Sequence, residues 1–391
     1  MTLNLDPAAT LPADGTAGTL VGRVWRPDVD GPSVAILRDD GLYDITAAFP
    51  TMRDLCETPD PATAAQKAKG DHIGDLDAIL ANTPEASRDA AKPWLLAPND
   101  LQAIKAAGVT FAISLLERVI EEQARGAPDK AAAARADVEA ALGGAIEHLK
   151  PGSPEAAELK KLLQAKGLWS QYLEVGIGPD AEIFTKAPPM AAVGTGASIG
   201  ILPQSQWNNP EPEIVLAVNS RGEIVGATLG NDVNLRDLEG RSALLLAKAK
   251  DNNAATAIGP FIRLFDKSFS LDDVRKAEVR LTVHGVDDFH LEGVSAMARI
   301  SRDPADLVAQ LIGPHHQYPD GAVLFLGTMF APIKDRDAPG AGFTHHEGDV
   351  VTIASEQLGA LVNVVTTCQK APPWTFGAGT LMRNLAKRGV L

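Results

Sequence analysis

EPEIVLAVNSRGEIVGATLGND, residues 211–232, reads as two strands around a turn, and the fold is decided there. IVLAV (214–218) and EIVGATLG (223–230) are apolar and β-branched, and Asn219–Gly222 between them is a cluster of turn formers. Side chains alternate along a strand, so Glu211 and Glu213, two apart, point to one face. A turn centred on Asn219–Gly222 makes Glu211 face Gly230, with Asp232 one diagonal step further on. Parity then puts Asp232 on the face of both glutamates, and diagonal neighbours, about 7–8 Å apart at Cα, can converge on one ion. Three carboxylates so gathered repel one another unless a proton or a cation intervenes. An all-oxygen donor set suits Mg²⁺, Ca²⁺ or Mn²⁺ better than zinc. Spacing alone leaves two readings open: a divalent-cation site, or an acidic strip facing solvent.

Outward from this hairpin the chain keeps a β texture. AEVRLTVHG (277–285), AVLFLG (322–327) and DVVTIAS (349–355) alternate or stay apolar between Gly, Pro and Asp turns. From about residue 175 onward a β-rich half with a few covering helices is expected. Upstream, Val21, Val24, Val34, Ile36 and Leu42 lie in short strands, part of a small N-terminal domain over residues 1–100. The larger domain then covers 101–391. Residues 112–123 predict an amphipathic helix with Leu115, Leu116, Val119 and Ile120 inward and Glu121 and Glu122 outward. The Ala- and Lys-rich segment 127–168 predicts an inserted helical hairpin, with Val138, Leu142, Ile146 and Leu149 at helical spacing. Its second helix opens on Ser153 as N-cap and Pro154 at the first position, and closes at Gly167. That arm is either solvated or a subunit contact. The fold class is α+β, dominated by β.

The composition excludes several functions. At 391 residues, 45% hydrophobic and 22% charged, the chain has ample length to bury a core as one large domain plus a small one. A net charge of −14 argues against a phosphate-backbone binder, so no nucleic-acid partner is expected. No apolar run approaches the ~20 residues a membrane helix needs, so no membrane partner is expected either. The opening MTLNLDPAATLPADGT has neither the basic start nor the apolar core of a secretory leader. Cys56 and Cys368 by themselves make neither a disulfide framework nor a structural zinc site, and a reducing cytoplasm is the expected setting.

Two motif matches fail on context. Gly196-Ala-Ser198-Ile-Gly200 fits a nucleophile elbow, but that chemistry needs a helix directly after the serine, and Pro203, Pro210 and Pro212 follow. Gly194 and Gly196 fail the dinucleotide fingerprint, because Ile199 stands where the third glycine belongs. The pairs His315–His316 and His345–His346 read as loop or polar-surface residues, and His346-Glu347 lacks the second histidine of a zinc-protease motif. Taken singly, Glu182 and Lys250 read as surface residues, with Lys248 an equal competitor for any role given to Lys250.

Together these residues say more. Glu211-x-Glu213, Gly230-Asn231-Asp232, Arg236-Asp237, and Lys250 followed by Ile258-Gly259-Pro260 occur in an order that resembles the fumarylacetoacetate hydrolase family. Phe184-x-Lys186 with Pro188, Gly194-x-Gly196, Gly327-Thr328, Gly348-Asp349 and Leu361–Val364 extend the likeness over roughly residues 100–370. The resemblance implies a mixed β-sandwich roll and a divalent metal, Mg²⁺ with Mn²⁺ as substitute, held by Glu211, Glu213 and Asp232. It also implies a homodimer or homotetramer.

One departure narrows the activity. Hydrolase and decarboxylase members carry Asn-Tyr-x-x-His-x-x-Glu, whose His and Glu activate water. The matching stretch here is Thr110-Phe-Ala-Ile-Ser114-Leu-Leu-Glu117, with serine in place of histidine. Without the imidazole, water-dependent C–C cleavage loses its base. With Glu182 ahead of Ile183-Phe184-Thr185-Lys186, the pattern resembles the branch that dehydrates 2-keto-3-deoxy sugar acids. That likeness implies 2-keto-3-deoxy-D-pentonate as substrate, Glu182 and Lys250 as catalytic groups, and Ser114, Glu117, Arg236 and Thr328 as substrate contacts. Two alternatives stand beside it: an acylpyruvate hydrolase or oxaloacetate decarboxylase on the same roll, and a non-catalytic keto-acid binding module.

Overall fold

The apolar runs form strands where the alternation places them. The computed structural model describes residues 3–391 with the exception of 143, 145, 147, 148, 331, 333, 340 and 341, and of the side chains of 132 and 139–142. The first strands are β1 (Leu20–Arg26), β2 (Gly31–Arg38), β3 (Gly41–Asp44), β4 (Asp71–Gly74), β5 (Trp94–Leu96) and β6 (Ala103–Gly108). Helices α1 (Ala112–Ala124), α2 (Pro128–Leu142) and α3 (Pro154–Ala165) follow, with a further short helix at Gln171–Ile177. Then come β7 (Glu182–Ala187), β8 (Ser198–Ile201), β9 (Asn208–Asn209), β10 (Pro212–Val218), β11 (Ile224–Asp232) and β12 (Asn234–Leu235). Short helices α4 (Arg236–Glu239) and α5 (Leu246–Lys250) lead to β13 (Thr256–Leu264), β14 (Glu278–His284) and β15 (His290–Ala296). The last strands are β16 (Ala322–Phe325), β17 (Val350–Ser355) and β18 (Gly359–Thr367).

Among the described residues these strands make an 11-stranded mixed sheet, ordered β4-β3-β2-β1-β13-β11-β10-β16-β6-β7 with β5 on β1. A five-stranded sheet, β15-β14-β17-β18-β8, packs against it. The strands of the first hundred residues thus enter the large sheet through β1 and β13. Ile214, Leu216 and Leu229 of the large sheet meet Leu281, Val283, Val351 and Ile353 of the small one in the main core. The solvent side of β14 carries Glu278 and Arg280, the alternation expected of a half-covered strand. On the opposite face of β10, Val215 packs with Ile104, Ile258 and Phe325. Glu211 and Glu213 share that face, away from the sandwich core.

The hairpin register differs from the expected one. Glu213, rather than Glu211, faces Gly230, and the Asp232 N–H donates to the Glu211 carbonyl at 3.1 Å. The cause is local: Val218 pairs with Ile224 across a five-residue loop, and a bulge between Ala217 and Val218 adds one residue to the second strand. Each shifts the pairing by one, and two shifts restore the parity. The three carboxylates share a face as expected, with Glu211 and Asp232 near-opposite rather than diagonal.

The helical insertion forms as expected. Ser153 Oγ accepts from Ala156 N at 3.2 Å, and Gly167 adopts φ +69° just past the last turn. Val138 and Ile146 are buried in a cluster with Leu115 and Val119 of α1, while the side chain of Leu142 lies outside the described residues. On α1 one expectation fails. Glu121 is buried rather than outward, because a polar stripe of this helix also faces inward, toward charged partners. Ser198 opens strand β8, so no nucleophile elbow exists there. Among the described residues no helix is long and apolar enough to cross a membrane.

Candidate active site

A cavity opens at the end of β10 and β11, between a strand wall and a helix wall. The strand wall begins with the triad. One carboxylate oxygen from each of Glu211, Glu213 and Asp232 lies within 4.8 Å of the others, and all three residues are buried. Gly230, which faces Glu213 across the pair, makes room for the Phe325 ring and Val215 beside the triad. A Cβ there would sit 2.3 Å from the Phe325 ring and 2.5 Å from Val215, so the position between Glu213 and its neighbours must be side-chain-free.

The charges around the triad are unequal. Lys250 Nζ lies 2.5 Å from Glu211 Oε2 and 3.1 Å from Asp232 Oδ2. Lys186, fully buried on β7, lies 3.0 Å from Asp232 Oδ1 and donates to the carbonyls of Val233 and Lys250. Burial works against the charge of Asp232, but the two ammonium groups outweigh it and hold its carboxyl below the usual range. Glu213 fares differently. It accepts from Gly327 N–H at 2.6 Å, and burial with the charges of Asp232 and Glu211 pushes its carboxyl well above the usual range. A buried all-oxygen cluster with one carboxyl too many is what a hard divalent cation relieves, so the donor set fits Mg²⁺ or Mn²⁺.

Glu182 and Phe184 of β7 continue the strand wall. Burial, then the charge of Glu239, raises the Glu182 carboxyl to about 7, against the opposing pull of Arg118 and Lys250. Glu182 pairs across the sheet with Gly108, where a Cβ would lie 2.0 Å from Glu182 Oε2, so the glycine is a seat for this carboxylate. Burial works against the charge of Lys250, but Asp232, Glu211 and Glu239 together hold it protonated. Lys248 is exposed, which settles the competition between the two lysines.

The helix wall comes from α1 and α4. Ser114, Glu117, Arg118 and Glu121, spaced three and four apart, fall on one face of α1. Ser114 Oγ donates to the Phe111 carbonyl at 2.9 Å and accepts from its N–H at 3.3 Å. Arg118 bonds Glu121, Glu211 and, at 3.0 Å, Glu239. Arg236 reaches Glu117 at 3.1 Å and Glu121 at 2.7 Å, and its guanidinium lies over the Trp207 ring at 4.3 Å. Thr328 lines the cavity beyond β16, its hydroxyl accepting from Phe330 N–H.

All nine residues singled out from the sequence therefore border one cavity. Arg118 and Glu239 were missed, as was the place of Glu121 and Lys186 in the site. The one available signal was the i, i+3, i+4, i+7 run of polar residues along α1.

A second buried acid lies elsewhere. Asp349, fully buried, accepts from Arg336 through both oxygens at 2.6 and 2.8 Å, and His345 Nδ1 lies 3.3 Å away. Arg336 and His345 overcome the effect of burial and hold Asp349 far below the usual carboxylate range. His345 is thus buried rather than at a polar surface, because it packs on Phe343 and faces this carboxylate, while His315 and His316 are exposed.

Fold and cavity together define a class: rolled-sheet proteins with an oxygen-only site for a divalent cation on adjacent strands. The pattern of the fumarylacetoacetate hydrolase C-terminal region matches residues 170–366, half of the chain. The chain belongs to the fumarylacetoacetate hydrolase family. It is 28% identical over 331 residues to a probable 2-keto-3-deoxyxylonate dehydratase of Haloferax volcanii, covering 84% of this chain and 94% of that protein. A 2-dehydro-3-deoxy-D-arabinonate dehydratase of Saccharolobus solfataricus is 31% identical over 192 residues, 48% of this chain and 60% of that one. Among solved structures, 2-keto-3-deoxy-D-arabinonate dehydratase complexed with magnesium and 2,5-dioxopentanoate superposes with TM-score 0.60 at 21% identity, over 89% of this chain and 99% of that one. Fumarylacetoacetate hydrolase of Exiguobacterium antarcticum superposes with TM-score 0.52 at 16% identity, over the same shares. The curated relatives are thus named as dehydratases, that is lyases, and the structural likeness bears out the sandwich roll.

Proposed function

We propose that the protein is a Mg²⁺-dependent dehydratase that converts 2-keto-3-deoxy-D-pentonate to 2-oxoglutarate semialdehyde, a step of non-phosphorylating pentose catabolism in the cytoplasm. The observation that carries this reading is that Glu182, poised at about 7, and Lys250, held protonated by its carboxylate neighbours, line one cavity with three buried carboxylates. Glu211, Glu213 and Asp232 would hold the metal, which when bound supplies Lewis acidity toward the oxygens of a 2-keto acid. Glu182 takes the C3 proton, a task matched to a carboxylate near neutrality. Lys250 gives a proton to the C4 hydroxyl as the C4–O bond breaks, so that one water leaves. Tautomerisation of the remaining double bond toward C5 yields the aldehyde. Thr328 and Arg236 are placed to orient the substrate, and Ser114 and Glu117 border it on the helix side. Ser114, with its hydroxyl engaged by Phe111, offers no water-activating imidazole, which favours dehydration over C–C cleavage.

The test is a time course of the purified protein with Mg²⁺ and 2-keto-3-deoxy-D-pentonate, with product identification and a chelator control. Semialdehyde formation lost on chelation is expected. Pyruvate with a two-carbon fragment, or turnover of acylpyruvates or oxaloacetate in its place, would overturn the reading.

A further inference from the structure

The helix wall is tied to a part of the chain outside the family match, the inserted hairpin. Arg135 of α2 puts both terminal nitrogens on Glu117, Nη2 to Oε2 at 2.8 Å and Nη1 to Oε1. Arg236 shares that Oε2 and passes on to Glu121, and Arg118 continues from Glu121 to Glu211. A line of alternating charge therefore runs from half-buried Arg135 to a carboxylate of the triad. Buried charges are tolerated in such a line only when each has a partner.

The count of charges gives the line a purpose. Among the described residues, seven carboxyl groups and three cations border the cavity, a formal count with every carboxyl ionised, as a bound cation favours. Lys186 behind Asp232 and Arg135 behind Glu117 raise the cations to five. A divalent ion makes up the remaining two, and a substrate anion then enters a site with no excess negative charge. Without Arg135 the excess returns, and Glu117 loses the partner that turns it toward α2.

We propose that Arg135 of the inserted hairpin is a positioning residue of the active site, holding Glu117 aside and supplying the cation that lets a keto-acid carboxylate enter a pocket walled by glutamates. The inference rests on the divalent-ion reading of the triad. It makes a prediction of opposite signs, because loss of one positive charge attracts a cation and repels an anion. A merely loosened pocket would weaken both.

The experiment titrates Mn²⁺ into the full-length protein by calorimetry, without substrate, and separately measures KM and kcat with Mg²⁺ and 2-keto-3-deoxy-D-pentonate. For Arg135→Ala, Mn²⁺ binding should tighten about threefold and KM rise about tenfold, with kcat falling far less, the size being set by screened charges a few residues apart. Arg135→Lys, which keeps the charge, should move both values back toward wild type. Unchanged Mn²⁺ affinity and KM, weakening of both, or no recovery with Arg135→Lys would each overturn the proposal. Wild-type protein that binds no Mn²⁺ would instead remove the divalent-ion reading, and this inference with it.

Discussion

Asp349 and the Glu211–Glu213–Asp232 triad are both buried acid groups with cations at hydrogen-bond distance, yet they are built to different counts. Asp349 has one carboxylate against a two-pronged Arg336 and a histidine, and its charge is fully answered within the fold. The triad has three carboxylates against Lys250, Lys186 and an Arg118 that is shared with Glu121 and Glu239, and Glu213 is left with a backbone N–H as its hydrogen-bond donor. Burial alone therefore does not mark a site. An unanswered surplus of one sign does, because such a surplus costs stability unless an ion or a proton removes it.

The comparison breaks if the two clusters respond alike to substitution. Glu213→Ala should lower turnover on the order of 10³-fold and remove Mn²⁺ binding while leaving the fold intact, read by calorimetry and circular dichroism. Asp349→Ala should do the reverse: a stability loss of about 1–3 kcal/mol in urea denaturation, with Mn²⁺ affinity preserved, since it takes from Arg336 the inner of two carboxylate partners and leaves it Asp287. Its native contribution is present above the ordinary carboxylate range and lost only as pH falls through the depressed value.

Three smaller effects sharpen the contrast within the cavity. Glu182→Gln should cut turnover at least about 100-fold with metal affinity kept, separating the proton carrier from the ligands. In the wild type, kcat/KM should fall as pH drops through about 7, because the base is then protonated, and Glu182→Gln should abolish that limb of the pH–rate profile. Gly108→Ala should lower activity about tenfold and move the limb, since a Cβ 2.0 Å from Glu182 Oε2 forces the carboxylate from its seat. An unmoved limb would show that the glycine serves packing alone.

How far the site could be read from sequence follows from how its parts are brought together. Period-two alternation placed Glu211, Glu213 and Asp232 on one face although the register was misjudged, because two one-residue errors cancel in parity. The strand runs and the Ser153 cap were legible for the same reason: they are local. Glu182 and Lys250 came only through family likeness, since neither stands out among its neighbours. Arg118 and Glu239 escaped altogether. α1 carries two buried faces, one apolar and one ionic, and a hydrophobic pattern reports only the first. Charged partners from α4 decide the second, and those partners are more than a hundred residues away in sequence.

Lys186 has a wider consequence. One ammonium group ties Asp232, the end of its strand and the carbonyl of Lys250 to β7. Asp232 and Lys250, the proposed ion ligand and the proposed proton donor, are thereby held to each other. The strand wall must be inherited whole. The helix wall is a set of side chains on one helix face, where Ser114 stands at the position that the family resemblance assigns to a histidine in hydrolases. New reactions on this scaffold are therefore to be sought by rewriting α1 while the carboxylate triad stays where it is.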